Sequence, residues 1–248
     1  MDVVDNLRKC VRPVIFLTGM SDAPYSTAGT SFLVGFGHSV FIVTAKHVLQ
    51  NYPPEKLIVY PSNKSKRHIR IMNWWDVHKD ISAPDYSDII VLKADLEPMS
   101  KKDRINGRLL FLTPSNSTEW FDSRFTSSYF LCGHPHEINE VDYDATQINT
   151  GQVLLPAKFV GPSKSAGCYT LRVENPLNIS SFNGLSGSPV FCYQNAFPLS
   201  LTPFANPKFC GMVLRGGAET GIIHFLAADV IVNVLQEVAQ TELSRYSR

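Results

Sequence analysis

The sequence predicts an all-β fold of two antiparallel barrels followed by one α-helix, and three observations support this prediction. Short runs rich in Val, Ile, Phe and Leu recur along the 248 residues, and clusters of Gly, Pro, Ser, Asn and Asp separate them. The runs form two sets of similar size, and the polar segment 113–127 between them has the composition of a linker. Only residues 229–243 show a convincing helical period.

The predicted strands define the organisation of a single domain. The N-terminal barrel covers about residues 13–113, with candidate strands at 13–17, 30–36, 39–44, 57–60, 69–74, 88–92 and 109–112. The C-terminal barrel covers about residues 127–228, with candidate strands at 128–132, 147–150, 153–157, 170–173, 189–193, 209–215 and 222–227. The helix at about 229–243 has Asp229 as its N-cap and carries on one side the apolar residues Val230, Val234, Leu235 and Val238.

Composition and charge exclude several classes of protein. With 44% apolar and 18% charged residues, the chain is globular rather than disordered or collagen-like. The net charge is +1, and Lys and Arg are scattered apart from a short run at 64–70, so nucleic acid is not expected as a partner. The first twenty residues contain no apolar run of secretory length, so neither a signal peptide nor association with a membrane is expected.

The cysteines indicate a reducing compartment. Their number is odd, and their spacing matches neither a metal site nor a dense disulfide framework. We therefore expect a cytoplasmic protein with mostly buried thiols and with no metal or organic cofactor. The five residues are Cys10, Cys132, Cys168, Cys192 and Cys210.

The segment GLSGSPV at 184–190 is the sharpest local signal for chemistry. Small residues around Ser186 allow a tight turn, in which the hydroxyl projects outward while neighbouring N–H groups converge on one point. A serine nucleophile needs such an oxyanion site. The segment is also compatible with an ordinary Gly/Ser-rich loop before a strand.

A serine nucleophile also needs a histidine base that a carboxylate orients. His47 closes the apolar run FIVT and begins what the sequence predicts as a single helical turn, although a plain structural role is equally compatible with that place. Asp88 precedes four consecutive apolar residues and is expected at the mouth of a buried strand. Asp85, three residues earlier, is the alternative carboxylate.

Taken together, these segments resemble the motifs of the trypsin-like, chymotrypsin-fold serine peptidases. TAKHV around His47 is similar to the TAAHC block of the family, SDIIVLKAD around Asp88 to its DIALL block, and GLSGSPV around Ser186 to its GDSGGP block. The order His, Asp, Ser and the intervals of about 40 and about 100 residues also match. The resemblance extends over about residues 13–238, because TAGTSFLV, LCGHP and FCGMVLRGG fall where the family has counterparts.

The resemblance implies two six-stranded barrels and a catalytic triad in a serine endopeptidase. By that resemblance Ser186 is the nucleophile, His47 the general base and acid, and Asp88 the orienting carboxylate. The oxyanion donors would be the backbone N–H groups of Gly184 and Ser186.

One departure from the family pattern concerns activation. Secreted trypsins bury a new N-terminal amine against an acidic residue directly before the nucleophile, whereas this chain has Leu185 there and no IVGG-like start. In this respect it is more similar to the intracellular and periplasmic Deg-type proteases. Because those often gate their oxyanion loop through a partner or through assembly, regulation by a partner protein is expected here.

The resemblance also gives positions for a specificity pocket. Its floor would be near Ser180, and its walls and opening would be formed by Leu214, Arg215, Gly216 and Gly221. A floor without Asp or Glu disfavours Lys and Arg as the selected residue and favours small or medium apolar residues. Selection of an acidic residue by Arg215 or His224 is the alternative.

Other functions fit the residues less well. An α/β-hydrolase would need an acid and then a histidine after Ser186, and there only Glu219 and His224 follow, five residues apart. A viral-type peptidase with a cysteine nucleophile is disfavoured by serine at position 186. A non-catalytic trypsin-fold module that binds a partner through the cleft remains the alternative from another functional class.

Overall fold

The computed structural model describes residues 3–62, 65, 67–77, 85, 87–95, 109–144, 147–174, 179–193 and 207–246. Within these residues, the first eight strands are β1 (Val11–Leu17), β2 (Tyr25–Phe36), β3 (Ser39–Thr44), β4 (Leu57–Ile58), β5 (Arg70–Asp76), β6 (Ile90–Asp95), β7 (Leu110–Phe111) and β8 (Ser128–Gly133). The others are β9 (Asn139–Asp142), β10 (Gln147–Thr150), β11 (Val153–Pro162), β12 (Cys168–Val173), β13 (Pro189–Tyr193), β14 (Lys208–Gly217) and β15 (Ile222–Ala227). The α-helices are α1 (Val3–Arg8) and α2 (Ala228–Tyr246).

The first seven strands form one sheet that curves into a half-barrel. Its order is β4-β1-β2-β3-β6-β5, all antiparallel, and β7 adds to β2 in parallel. Over the described residues the sheet does not close, so it differs from a fully closed barrel. All four residues of the run FIVT in β3 are buried, so both faces of this strand are covered.

The second set of strands forms a closed barrel of six in the order β11-β12-β15-β14-β13-β8. This confirms a mostly β fold with two barrel-like sheets and a C-terminal helix. The predicted strand 147–150 is present as β10, but it pairs with β9 in a separate hairpin. Sequence patterns missed β9, because Asn-Glu-Val-Asp contains a single apolar residue.

Helix α2 packs onto the molecule through its apolar side. Val230, Ile231, Val234, Leu235 and Val238 are buried, as the helical period predicts. Near its end, an ion pair joins Glu242 to Lys93 of β6 and so links the helix to the N-terminal sheet. Neither helix in the described part of the chain combines the length and apolarity that a membrane crossing requires.

Buried polar side chains occur where the two sheets meet. Arg12 of β1 is 4% exposed, and its guanidinium donates to the carbonyls of Val11 and Pro61. His134, directly after β8, is 2% exposed, and its Nδ1 lies 2.7 Å from the Gly151 carbonyl. Burial lowers the pKa of His134 to about 4, and the nearby charge of Arg12 contributes to the same direction. The folded protein therefore holds this histidine neutral.

Folding stability is expected to fall between about pH 6.5 and pH 4. In this window the unfolded chain binds a proton at His134 that the folded chain does not, so the unfolding free energy decreases by up to about 3 kcal/mol as the pH falls. Urea denaturation of the parent and of His134→Gln at pH 7 and pH 4.5 measures the difference. The variant should lose most of this pH dependence, whereas the exposed-site control His38→Gln should keep it. Equal pH dependence in all three proteins would contradict this account.

Candidate active site

The pairing of β3 with β6 brings two of the predicted site residues together. Thr44, the last residue of β3, pairs with Ile90, the first residue of β6. His47 lies on a short 3₁₀ helix (Lys46–Leu49) that follows β3, and Asp88 lies two residues before β6. Because antiparallel partners end and begin at the same edge, the two side chains emerge side by side.

Two hydrogen bonds join His47 to Asp88. The His47 Nδ1 lies 2.6 Å from Asp88 Oδ2, and the His47 backbone N–H donates to Asp88 Oδ1 over 2.9 Å. One carboxylate therefore fixes both the backbone and the ring of the histidine. With the proton on Nδ1, facing the carboxylate, Nε2 is left as the basic nitrogen. The His47 side chain is 48% exposed, so its ring is accessible from the cleft.

Ser186 approaches this pair from the second barrel through contacts at Gly29. A Cβ at Gly29 would lie 2.9 Å from the Val48 side chain and 3.1 Å from the Ser186 carbonyl, so only glycine allows both segments this close. The hydroxyl of Ser186 donates to the carbonyl of Leu214 over 2.8 Å. Among the described residues no hydrogen bond joins Ser186 to His47. Rotation of the Ser186 side chain into another staggered rotamer would be needed to bring its hydroxyl to the histidine.

The loop around Leu185 presents two free backbone donors. Neither the Gly184 nor the Ser186 N–H has a hydrogen-bond acceptor among the described residues. The Asn183 carbonyl accepts from the His136 N–H over 2.9 Å, and since a trans peptide points its N–H opposite to its carbonyl, the Gly184 N–H is turned away from His136. Two such donors on one turn can bind an oxygen that carries negative charge.

Thr30 of β2 holds this loop in place with two hydrogen bonds and binds His134 with a third, although sequence patterns did not single it out. Its hydroxyl donates to the Gly184 carbonyl over 2.8 Å and accepts from the His134 N–H over 2.9 Å. Its own N–H donates to the Ser186 carbonyl over 2.9 Å. Thr44 in turn donates its hydroxyl to the Thr30 carbonyl over 2.7 Å. One buried residue of the N-terminal sheet thus binds the carbonyl on each side of Leu185.

Thr30→Val is expected to lower kcat for peptide hydrolysis by about 10- to 100-fold while changing KM less than about twofold. The isosteric side chain leaves the Gly184 carbonyl and the His134 N–H without their partner, so the oxyanion loop loses its fixed geometry. Steady-state kinetics on a cleaved peptide measures the effect. Thr30→Ser keeps the hydroxyl and should restore most of the rate. An equally inactive Thr30→Ser would show that packing, rather than the hydroxyl, is what matters.

The predicted floor of the specificity pocket carries a carboxylate partner that the sequence did not indicate. Glu137 accepts from the Ser180 N–H at 3.0 and 3.1 Å and from the Ser180 hydroxyl at 2.5 Å. Phe182 is also close, because its ring would lie 3.2 Å from a Cβ at Gly216. The structure therefore places Phe182, two residues after Ser180, against Gly216.

The other pocket positions lie along β14 and the turn that follows it. The Leu214 side chain is fully buried, so this residue offers its backbone to the cleft. Gly221 lies in the turn before β15 with φ +65°, and its carbonyl accepts from the Val173 N–H. It therefore packs against the end of β12, and no described contact links it to Ser180.

Arg215 is held by Asp85 rather than left free. Its guanidinium forms a bidentate pair with the Asp85 carboxylate, with an Nη2–Oδ2 distance of 2.6 Å. The Asp85 side chain is 10% exposed, and the hydrogen bonds from Arg215 hold the pKa of Asp85 below its usual value. Asp85, the alternative triad carboxylate, is thus engaged with Arg215, whereas Asp88 binds His47. The Nδ1 of His224 lies 3.2 Å from the Ser163 hydroxyl oxygen, so this histidine is hydrogen-bonded within its strand region.

The described cysteines and acidic residues form no metal site. All five cysteines are buried free thiols, including Cys132 and Cys192. In the part of the chain that the structure describes, no group of three or more His, Cys, Asp or Glu is arranged to hold a metal ion.

Comparison with known proteins supports the fold and leaves the activity open. No protein-family model matches the sequence, and no curated protein matches it. Among solved structures, the chain is similar to the inactivated protease paralogue S-D1 of the scabies mite, with a TM-score of 0.59 and 10% sequence identity. The match covers 97% of this chain and 95% of that chain. At this identity the likeness shows the fold alone, which is chymotrypsin-like.

Proposed function

We propose that this protein is a serine endopeptidase that hydrolyses peptide bonds through an acyl-enzyme on Ser186. The observation that carries the proposal is the His47–Asp88 pair, in which the His47 Nδ1 lies 2.6 Å from the Asp88 carboxylate. Gly29 lies between the segment of His47 and the Ser186 loop, and that loop has two N–H donors without an acceptor among the described residues. This histidine geometry and this loop are two of the three parts that acyl-transfer chemistry needs, and the third is a Ser186 hydroxyl turned towards His47.

The proposed mechanism assigns one step to each group. His47 Nε2 takes the proton of Ser186 as the oxygen attacks the carbonyl carbon, and Asp88 stabilises the imidazolium through its bonds to Nδ1 and to the backbone. The N–H groups of Gly184 and Ser186 bind the oxyanion of the tetrahedral intermediate. His47 then returns the proton to the leaving amine, and a water activated by the same nitrogen hydrolyses the acyl-enzyme.

Regulation by a partner or by assembly, acting on a basal activity of the isolated chain, is part of the proposal. Leu185 is 1% exposed and occupies the position where secreted trypsins carry the acid for a buried amine, so a likeness to Deg-type proteases is favoured over those trypsins. The hydroxyl of Ser186 bonds to Leu214, an arrangement that a bound substrate or partner would have to release. Five buried thiols suit a reducing compartment, and we propose the cytoplasm.

The residue before the cleaved bond is proposed to be small or medium and apolar. The carboxylate of Glu137 near Ser180 already accepts three hydrogen bonds, which leaves it less able to hold a lysine or arginine side chain. Arg215 is neutralised by Asp85, which disfavours selection of an acidic residue.

Cleavage of a peptide library by the purified chain, with new termini identified by mass spectrometry, tests the proposal. The parent should generate new termini that are absent from a parallel digest with Ser186→Ala, and the residue before each cleaved bond should be apolar. Identical termini in both digests would trace the activity to a contaminant and contradict the assignment to Ser186.

A non-catalytic module that binds a partner through the cleft is the second candidate. Two observations favour it: the Ser186 hydroxyl bonds to Leu214 rather than to His47, and the similar scabies mite protein is described as an inactivated protease. This candidate predicts no Ser186-dependent termini in the library digest.

A further inference from the structure

A cavity of about 350 Å³ lies between the β1–β2 hairpin and the β9–β10 hairpin. Asp22 and Tyr25 line it from the first hairpin, Asp142 and Tyr143 from the second, and Tyr60 from the segment after β4. This volume falls at the lower end of the range for ligand-binding pockets, so the cavity fits one long side chain rather than a large cofactor.

Hydrogen bonds fix the walls of the cavity. The Tyr143 hydroxyl donates to the backbone carbonyl of Tyr25 and so ties one hairpin to the other. The turn before β2 is closed by the Thr18 N–H, which donates to the Pro24 carbonyl over 3.0 Å. The segment after β4 is anchored where the buried Arg12 donates to the Pro61 carbonyl over 3.0 Å. The cavity is therefore a built feature of the fold.

The chemistry of the walls suits a cation. Three tyrosine rings and two carboxylates contribute to the lining, and none of the described residues that line it is a lysine, arginine or histidine. Burial raises the pKa of Tyr60, so its hydroxyl stays neutral. Tyrosine rings attract cations through their faces, and arginine gains further because its planar guanidinium stacks on them.

Strand β2 connects the cavity to the proposed active site. Tyr25 begins β2, and Thr30, five residues on, binds the Ser186 loop, which places the cavity roughly 17 Å from that loop at about 3.3 Å per residue. Ser186 lies between β2 on one side and Leu214 of β14 on the other. The pocket positions Leu214, Arg215 and Gly216 lie on β14, whereas the cavity lies at the start of β2. We place the leaving part of an extended substrate along β2, towards the cavity.

We infer that this cavity binds the side chain of an arginine or lysine located four or five residues after the cleaved bond of a polypeptide substrate. The position of this arginine or lysine in the substrate rests on the proposed peptidase function. An extended peptide covers the distance from Ser186 to the cavity in four or five residues. The preference for a cation rests on the cavity alone.

Pairs of peptides that differ only by arginine or citrulline at one position test where in the substrate the cation must lie. A peptide cleaved in the library is synthesised with arginine or with its neutral isostere citrulline at each of the third to sixth positions after the cleaved bond. Arginine at the fourth or fifth position should raise kcat/KM about five- to tenfold over citrulline. The double variant Asp22→Asn/Asp142→Asn should reduce this ratio below about twofold, and the control Asp122→Asn, at an exposed residue of the segment between the barrels, should keep it. Equal rates for arginine and citrulline would overturn the inference.

A binding measurement on the full-length Ser186→Ala protein is independent of catalysis. N-acetyl-arginine amide, titrated into the millimolar range, should shift the NMR signals of the Tyr25, Tyr60 and Tyr143 rings. N-acetyl-citrulline amide should not shift them, nor should arginine when Asp22 and Asp142 are both asparagine. If no library peptide is cleaved, the peptidase proposal fails and this titration alone decides the cation site. Absence of arginine-specific shifts would then overturn it.

Discussion

Alanine at Ser186 or at His47 is expected to lower kcat for peptide hydrolysis by roughly 10⁶-fold, and the two changes together should cost little more than either alone. The nucleophile and its base act as one unit, so removing either abolishes acyl-enzyme formation and leaves only the oxyanion site and substrate binding. Asp88→Asn should cost roughly 10⁴-fold, because the amide stabilises the wrong tautomer of His47.

A matched control lies two residues from the nucleophile. The Ser188 hydroxyl is fully buried and has no hydrogen-bond partner among the described residues, so Ser188→Ala should change kcat by less than about twofold. Steady-state kinetics on a library-derived peptide separates the outcomes. Losses that multiply in the double variant would mean that Ser186 and His47 act independently, which contradicts a triad.

Gly187→Ala is expected to destabilise the fold by roughly 4 kcal/mol or more and to abolish activity. A Cβ at this position would lie 1.8 Å from the Thr30 carbonyl and 2.5 Å from the Thr44 hydroxyl, and the backbone has φ +86°. Because the carbonyl oxygen belongs to a central strand, the nucleophile loop itself would have to move, and the donors at Gly184 and Ser186 would move with it.

Gly37→Ala measures the cost of a positive φ without the steric clash that Gly187→Ala adds. Gly37 also has a positive φ, +58°, but nothing lies within 4 Å of its Cβ position. This variant should cost only about 1–2 kcal/mol and leave kcat unchanged. Thermal denaturation and kinetics on both variants measure the contrast. Similar stability losses at the two glycines would show that the loop does not pack against Thr30 as described.

Local patterns in the sequence predicted most of the strands, and the joint resemblance of three segments to a known family predicted the histidine–carboxylate pair. Apolar runs bounded by turn residues define β3 and β13 to the residue, and the antiparallel pairing of two such runs is enough to bring His47 beside Asp88. Six of the seven candidate strands of the second set form the closed barrel, and only the strand at 147–150 pairs outside it.

Contacts between distant segments could not be predicted in this way. Thr30 is one threonine in a β-rich stretch, and its role depends on a loop more than 150 residues later. The pairs Glu137–Ser180 and Arg215–Asp85 join residues from different strands and loops, where no local pattern records the partner. The cavity near Tyr25 likewise requires two hairpins to meet.

The most direct test of the triad is the intact mass of the purified chain after treatment with a fluorophosphonate probe, beside Ser186→Ala and His47→Ala. Such a probe reacts with a serine only when a base activates it and an oxyanion site receives the phosphoryl oxygen. A working triad predicts one added probe mass on the parent and none on either variant. A folded parent that remains unlabelled, or a labelled Ser186→Ala protein, would contradict it.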